Sequence, residues 1–550
     1  MPFPMFVFVN MGLAAATVGA SALLSRWRWL AVAAALLGAT ALLLVQGLAY
    51  FDYYADDAYI TLRYSRHLAD GLGPNWNAEG RVEGYTTFLW MSTLAGLAKL
   101  GFDLVDTSRA LGFLALVGTL VSLTAIWKLW GEEERGSGIE SPVLLATALI
   151  GLTLIDGVTF WGFSGMETPL FMALITAGAY LHMRERRQGA PWSAMAFAAA
   201  AMTRPEGLIA AAVTGAFVLA ELAPAEGRPR AVTRALAWGS AFVLLYGSYF
   251  IWRYAYYDYL FPNTYYAKVG LNLATLDRGL GYLQTSGLQY HLLPLLAGVA
   301  LLLARERVRR DAAYVLALTG ALLAGLVVEG ASDPHGRFFV PVLPLLMLAG
   351  LAGLTTALRR LALHPAHAAA LAGGVLALGG LALLPLFRDP VLPLHRRAID
   401  QRAALGEWLN ENTPPDYVIG DFMIGAIAYH ANDRAFLDLL GLNDVVIAHT
   451  EIPDMGAGVA GHEKFNVDYV LNVARPQIIV LGQVHPAPVP ETELRELVLA
   501  SSLFSASNAY LNDPRLWQGY QVRAVNLGGH WHHFLQRIDT LEELRAPGLR

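Results

Sequence analysis

Two adjacent carboxylates stand out in the stretch Y-A-D-D-A-Y-I-T-L-R at 54–63, a few residues beyond an apolar run at 30–50. A carboxylate such as Asp56 or Asp57 can take a proton from an attacking hydroxyl group. Two carboxylates can also hold a hard divalent cation (Mg²⁺, Mn²⁺ or Ca²⁺) that neutralises a leaving phosphate. The pair therefore predicts transfer chemistry at a membrane surface. The alternative, an Asp that caps a helix over 58–69, explains only one of the two acids.

Cationic side chains recur in the other short polar stretches. Arg63 follows the acidic pair, Arg204 lies in M-T-R-P-E-G (202–207), Lys268 in F-P-N-T-Y-Y-A-K-V-G (261–270), and His335 and Arg337 in S-D-P-H-G-R-F-F (332–339). We expect these five groups to bind the phosphate of a donor, since charge-assisted hydrogen bonds to phosphate are strong. The structural alternatives are a salt-bridged hinge at Arg204 and a packing role for His335.

The same stretches supply groups that could line a sugar or acceptor pocket. The structural alternatives are that Glu167 caps a helix and that the tyrosines belong to an aromatic belt at the membrane interface. The expected lining residues are Glu83, Tyr85, Trp161, Glu167, Asn263, Tyr265, Tyr266 and Asp333. No HxxxH or HExxH spacing occurs, so the sequence predicts no histidine metal site.

The composition indicates which elements position these groups. Of the 550 residues, 55% are hydrophobic and 15% charged, whereas soluble proteins carry about 25% charged residues. Apolar runs close to the ~20 residues that cross a bilayer recur along the chain, which predicts a polytopic α-helical membrane protein. No basic face with interleaved aromatics is present, so we expect no nucleic-acid partner. The absence of cysteine excludes disulfides and thiolate metal sites.

Basic clusters between the runs mark the cytoplasmic loops. They give about 11–12 spans, near 4–24, 29–50, 109–130, 142–157, 168–183, 190–203, 205–222, 235–253, 292–304, 311–329, 338–357 and 366–387. The apolar segment 85–101 fits this alternation only as a juxtamembrane or re-entrant helix. Short segments such as 190–203 and 292–304 suggest broken helices beside a cavity.

The chain after residue 388 turns polar and mixed. Strand-length apolar runs at 417–420, 436–440, 477–481 and 520–526 alternate with helical patterns at 396–411 and 491–504. We therefore expect two domains: a transmembrane catalytic domain over 1–388, whose first outer loop is 51–108, and a soluble α/β domain over 389–550 on the same side of the membrane.

Taken together, these motifs resemble GT-C glycosyltransferases, polytopic enzymes that use lipid-phosphate sugars. More narrowly, seven segments resemble the terminal β-1,2-arabinofuranosyltransferase family of actinobacterial cell-wall synthesis. They are A-D-D-A-Y-I-T-L-R-Y-S-R-H-L-A-D-G, R-V-E-G-Y-T-T-F-L-W, G-M-E-T-P-L-F, R-P-E-G, P-N-T-Y-Y-A-K, G-R-F-F-V-P-V-L-P and F-L-D-L-L-G-L-N-D. In this resemblance Asp56 and Asp57 match the catalytic aspartates.

The resemblance implies a decaprenyl-phosphoryl-arabinofuranose donor, an arabinan acceptor, and a multi-pass enzyme of the bacterial inner membrane. Its active site and C-terminal domain would face the periplasm, and we expect a monomer. A single base predicts inversion at the anomeric carbon, whereas the family's β donor and β product imply retention, so an Asp could be base, nucleophile or metal ligand. The alternatives are another lipid-phosphate sugar, a pilin acceptor, a non-catalytic assembly protein, or a lipid-linked sugar flippase. A flippase should show repeated halves, and none is visible.

Overall fold

The structure, a computed structural model, describes residues 3–549 apart from 189, 221–227, 269, 271, 360–373, 375–391, 454, 502–504, 545 and 547–548. The chain divides into two compact units. The first, the helical unit, comprises Met1–Tyr53, Ser108–Ile251 and Gly279–Asp389; the second, the mixed unit, comprises Tyr54–Thr107, Trp252–Arg278 and Pro390–Arg550. The expected domain boundary at 388/389, and the expected span at 366–387 apart from residue 374, lie outside the described residues.

Helices dominate the chain up to residue 358. They are α1 (Phe3–Leu23), α2 (Arg28–Tyr50), α3 (Asp56–Ala69), α4 (Phe88–Lys99), α5 (Leu104–Glu133), α6 (Pro142–Thr153), α7 (Asp156–Phe163), α8 (Thr168–Gln188), α9 (Trp192–Thr203), α10 (Gly207–Ala220), α11 (Arg228–Phe242), α12 (Ser248–Tyr257), α13 (Asn263–Lys268), α14 (Leu273–Gln289), α15 (Leu292–Leu302), α16 (Arg309–Glu329) and α17 (Leu343–Leu358). A π-helical turn at Val243–Gly247 joins α11 to α12.

Several of these helices can cross a bilayer. Among the described residues, five stretches are long and apolar enough: Arg28–Tyr50, Leu104–Glu133, Ala231–Tyr257, Arg309–Glu329 and Val340–Leu358. The pairs α6–α7 and α14–α15 pass the same test together but are bent by 62° and 78°, as in a broken span or a re-entrant loop. Shorter apolar helices lie at Phe8–Leu23, Trp192–Thr203 and Gly207–Ala220. The chain is a multi-pass membrane protein, as predicted. Helix α4, with 12 residues, extends only about 18 Å, which agrees with the expectation that 85–101 does not cross.

Glycine allows two helices of the helical unit to pack backbone against backbone. A Cβ on Gly298 of α15 would lie 2.2 Å from the carbonyl oxygen of Gly350 on α17, and one on Gly353 would lie 1.8 Å from that of Gly298. In lipid, where no hydrophobic effect draws helices together, such close approach supplies the van der Waals contact that holds them.

The C-terminal part of the mixed unit is an α/β domain, as predicted. Its helices are α18 (Leu392–Asn412), α19 (Ile424–His430), α20 (Val445–Ala448), α21 (Glu491–Ser501), α22 (Ser505–Leu511) and α23 (Pro514–Gly519). Its strands are β1 (Val418–Asp421), β2 (Ala435–Asp438), β3 (Ile478–His485), β4 (Tyr520–Leu527) and β5 (His530–Arg537). Four strands and two helices fall where the sequence patterns predict them.

The sheet has the order β2-β1-β3-β5-β4. Strands β1, β2 and β3 are parallel, and β5 runs antiparallel to β3 and β4. Ile478 and Val480 pack on one face, whereas Ile479 and Leu481 pack on the other. Because both faces are covered, β3 carries a continuous apolar run rather than an alternating one. The apolar pattern does not predict strand β5, because its H-W-H-H segment carries three histidines in place of an apolar run.

The first loop of the mixed unit covers the edge of this sheet. The side chain of Asn77 donates to the carbonyl of Phe436 in β2 (3.0 Å) and accepts from its amide (2.9 Å), and the Trp76 indole donates to the same carbonyl (3.1 Å). Asn77 thus replaces a neighbouring strand and closes an otherwise open edge. Loop 54–107 therefore packs against the sheet of the α/β domain and belongs to the same compact unit.

Candidate functional site

The aspartate pair forms the first two residues of α3 in the mixed unit. Both carboxylate oxygens of Asp56 accept hydrogen bonds from the first turn of α19, from Gly425 N (3.1 Å) and Ala426 N (2.9 Å). Asp57 is exposed. The structural alternative of an Asp that caps this helix is not what α3 shows. The residue before α3 is Ala55, which makes no side-chain cap, and Asp56 instead accepts from orphan amides of another helix.

Asp56 is half-buried at the start of α3. Burial raises its pKa to about 6, because the loss of water outweighs the Arg402 charge and the Ala426 amide, which act in the opposite direction. Asp57 and Asp421 raise the pKa further by like-charge repulsion. The Asp56 carboxyl therefore takes up a proton at a higher pH than an ordinary aspartate does.

A buried ion pair fixes the loop that holds Asp56. Arg402 of α18 donates to both oxygens of Asp421 at the end of β1 (2.7 and 2.5 Å) and to the carbonyl of Met423 (2.7 Å). Asp421 also accepts from the amides of Phe422 (2.7 Å) and Met423 (3.2 Å). Neither Arg402 nor Asp421 was expected from the sequence, because both lie in the C-terminal domain, far along the chain from the aspartate pair.

Arg63 does not have the environment expected of a phosphate ligand. It is 1% exposed and donates to the carbonyls of Trp76 (3.0 Å), Arg434 (2.7 Å) and Ala428. Its guanidinium also lies 4.9 Å from the centre of the Trp76 ring. We therefore correct its assignment from donor phosphate to a structural link between α3 and the α/β domain.

Two residues expected in a sugar pocket are buried and paired. Glu83 forms an ion pair with Arg253 (Oε2–Nη2 2.7 Å), and the Tyr85 hydroxyl lies 3.1 Å from that of Tyr257. Burial raises the pKa of Glu83 to about 7, although the Arg253 charge opposes this shift. Arg253 was not singled out in the sequence, because it lies within an apolar helix.

The stretch 261–270 is joined to the α/β domain through Asn263, which donates to the carbonyls of Gly441 (2.8 Å) and Leu442 (3.0 Å). The ring of Tyr266 lies 4.2 Å from that of His449. Tyr265, by contrast, stacks on Phe261 at 4.5 Å and is 36% exposed. Lys268 is half-buried, and its alkyl chain lies so close to Gly461 that a Cβ on this glycine would be 2.9 Å from Lys268 Cε.

Charged residues of the helical unit form a second cluster, called here the ion cluster: Glu167, Arg204, Glu206, Asp333 and Arg337. Arg204 pairs with Glu167 (2.7 Å) and Glu206 (2.5 Å). Arg337 pairs with Glu167 (3.4 Å) and Asp333 (3.2 Å). Burial raises the pKa of Glu167, but the Arg337 and Arg204 charges outweigh it and hold that pKa below its ordinary value. Glu167 thus bridges two arginines.

Trp161 and His335 lie in the same unit as the ion cluster. The Trp161 indole donates to the His335 carbonyl (3.0 Å), and the Arg337 guanidinium lies 5.6 Å from the Trp161 ring. The His335 ring stacks on Phe160 (4.2 Å), and its Nδ1 lies 3.3 Å from Asp156. Asp156 was missed in the sequence, since it is a single acid at the start of a short helix.

The ion cluster carries three carboxylates for two guanidiniums. A cavity of about 10 Å³ beside Arg204 and Glu206 has room for about one water, not for a phosphate group. To bind phosphate, an arginine would have to exchange a carboxylate oxygen for a phosphate oxygen, and the cluster would have to open. The Arg204–Glu206 ion pair is the salt bridge that the structural alternative for Arg204 predicts.

A divalent cation remains a prediction from the aspartate pair. Within the described part of the chain, no three acidic or histidine side chains converge as a metal site, and both oxygens of Asp56 already accept amides.

Part of the chain matches a family model, and nearly the whole chain is similar to a solved structure. Residues 395–533 match a model described as a domain of unknown function (DUF8728). No curated protein matches the sequence. The structure of ArnT from Cupriavidus metallidurans, bound to undecaprenyl phosphate, is similar with a TM-score of 0.53 and 14% identity, over 90% of this chain and 97% of that chain. The predicted fold is thereby confirmed: this protein has the GT-C fold, with a C-terminal α/β domain.

Proposed function

We propose that this protein is a membrane glycosyltransferase that takes its sugar from a polyprenyl phosphate. One observation carries the proposal: the fold matches that of ArnT along nearly the whole length of both chains, and the ArnT structure holds undecaprenyl phosphate. An aspartate pair at the start of a helix outside the membrane spans adds the acid–base group that glycosyl transfer needs.

In this proposal Asp57 acts on the acceptor hydroxyl. It is exposed at the start of α3, so a carbohydrate hydroxyl can reach it. The donor phosphate is proposed to bind Arg337 and Arg204 of the ion cluster, with His335 and Lys268 as further candidates, since guanidinium groups bind phosphate with paired hydrogen bonds. Catalysis then consists of placing the acceptor and neutralising the departing phosphate.

The finer proposal concerns the sugar and its acceptor. The motif resemblance supports arabinofuranose from decaprenyl-phosphoryl-arabinose and an arabinan acceptor on the periplasmic side. Another lipid-phosphate sugar, or a pilin acceptor, is compatible with the same fold. The bent helix pairs α6–α7 and α14–α15 are also a feature of transporters, which keeps a lipid-linked sugar flippase as the rival function.

The test uses the full chain in lipid nanodiscs with polyprenyl-phosphoryl-arabinose and a short arabinan, followed by mass spectrometry of the glycan. We expect an extended arabinan with the wild type and none with Asp57→Asn. Asp70→Asn is the matched control, because Asp70 is an exposed acid at the other end of α3. In parallel, proteoliposomes report movement of a fluorescent lipid-linked sugar between leaflets.

Product formed equally by the wild type and Asp57→Asn would rule out the proposed catalytic role of Asp57. Movement of lipid without any extended product, from a panel of pentosyl and hexosyl polyprenyl phosphates, would favour the flippase. Extension of a pilin peptide but not of arabinan would overturn the proposed acceptor alone.

A further inference from the structure

The α/β domain that matches a model of unknown function contacts the aspartate pair directly. The amides of Gly425 and Ala426 hold both oxygens of Asp56, and Arg402 with Asp421 fixes the loop that carries those amides. All four residues lie within the matched stretch 395–533. We call this set of contacts the Asp56 clamp.

From these contacts we infer that the α/β domain positions the catalytic helix: Asp56 is a positioning residue held by the Asp56 clamp, and Asp57 is the residue that it presents to substrate. The inference rests on the proposed function and adds to it a role for the domain. It also assigns different roles to Asp56 and Asp57, which the sequence does not distinguish.

Helix geometry gives the reason for this division. Adjacent residues of an α-helix project about 100° apart, so a carboxylate fixed toward α19 leaves its neighbour pointing elsewhere. Asp56 is directed into the clamp, and Asp57 is exposed. Because the first turn of α3 is held through Asp56, Asp57 keeps one direction, and misplacement of a reacting group by about 1 Å can cost on the order of 100-fold in rate.

Gly425 shows how closely the two helices approach. A Cβ at this position would lie 1.9 Å from the carbonyl oxygen of Asp56 and 2.7 Å from its Cγ. Side chains do not tolerate such distances from backbone atoms, so any residue larger than glycine must displace α3 or α19. Gly519, at the end of α23 in the same domain, has open space around it and provides a matched control.

Amide hydrogen exchange tests the clamp without any activity measurement. In the full-length protein in nanodiscs, we expect Asp56→Ala to accelerate exchange in the peptide 422–430 by at least tenfold, since two amides lose their acceptor, and Asp57→Ala to leave it unchanged. Asp56→Asn, which keeps an acceptor oxygen and the side-chain shape, should give a smaller increase. Equal exchange in wild type and Asp56→Ala would overturn the inference, whatever the protein catalyses.

Kinetics then test positioning. We expect Gly425→Ala to lower kcat about 100-fold with KM for the donor within twofold, Asp56→Asn to retain measurable kcat, and Gly519→Ala to match the wild type. Loss of all activity in Asp56→Asn, equal to that in Asp57→Asn, would overturn the division of roles. If no donor supports transfer but exchange responds as expected, the clamp stands as a structural contact, and both the proposed function and the positioning role fall.

Discussion

Replacing Glu167 by glutamine should weaken the fold and strengthen phosphate binding at once. Glu167 is 1% exposed and bridges Arg204 and Arg337. Glutamine keeps the shape and one acceptor oxygen but removes the charge. The two arginines then lose a shared counter-charge, whereas an incoming anion loses a repulsive neighbour. The substitution therefore lowers the free energy of unfolding, because the arginines lose their counter-charge, but raises the affinity for an anion, because the anion is no longer repelled by Glu167.

The distances set the size of the loss in stability. At 2.7 Å, one unit pair attracts by about 6 kcal/mol with an effective dielectric constant of about 20, and the cost of taking both charges out of water offsets much of this. Removing one partner of a buried pair costs about 3–5 kcal/mol. We expect the free energy of unfolding to fall by that amount. Because the pKa of Glu167 is depressed, the wild-type contribution is present above the ordinary glutamate pKa and lost as the pH falls.

The gain in binding follows from the same arithmetic. A phosphate placed about 6 Å from the carboxylate would be repelled by about 3 kcal/mol at that dielectric constant. Relieving this repulsion should tighten binding by roughly tenfold to a hundredfold.

Two measurements on nanodisc or micelle samples test both signs. Unfolding is followed by SDS titration and tryptophan fluorescence, and affinity by microscale thermophoresis with undecaprenyl phosphate. Glu306→Gln is the control, since Glu306 is an exposed acid of the same unit. Unaltered stability in Glu167→Gln would refute the ion-pair reasoning. Unaltered or weaker lipid-phosphate binding would refute the assignment of the donor phosphate to the ion cluster.

Three further predictions concern other parts of the protein. Because Asp56 has a pKa raised to about 6 and is a carboxylate only above it, the transfer rate should fall as the pH drops through about 6, and Asp56→Asn should lack this fall; the same fall near pH 6 in that variant would contradict this. Arg63→Met should lower the stability of the mixed unit by about 3 kcal/mol, since buried carbonyls lose their donor; an unchanged melting temperature with lost lipid-phosphate binding would restore its role at the donor. Gly298→Ala should destabilise the α15–α17 contact by about 1–3 kcal/mol, whereas Gly320→Ala, with open space around it, should not; equal melting temperatures would disprove the close packing.

The sequence alone determined the class of the protein and most of its elements. Long apolar runs require helices in a bilayer, because an unsatisfied backbone is too costly there. Apolar runs of strand length predicted the strands β1 to β4. The short helix α4 was predicted because segment 85–101 fits the alternation of basic loops only if it does not cross the membrane. Such signals are local, since each depends on the composition of one segment.

Only the tertiary structure decided what the charged residues do. Arg63 and Arg204 are both arginines in polar stretches, yet Arg63 donates to main-chain carbonyls and Arg204 pairs with acids. Asp56 and Asp57 are chemically equivalent in the sequence. In the fold, amides 369 and 370 residues further along the chain donate to Asp56 and so distinguish it from Asp57. Hydrogen bonds and ion pairs depend on distances across the fold, and the order of residues along the chain does not encode those distances locally.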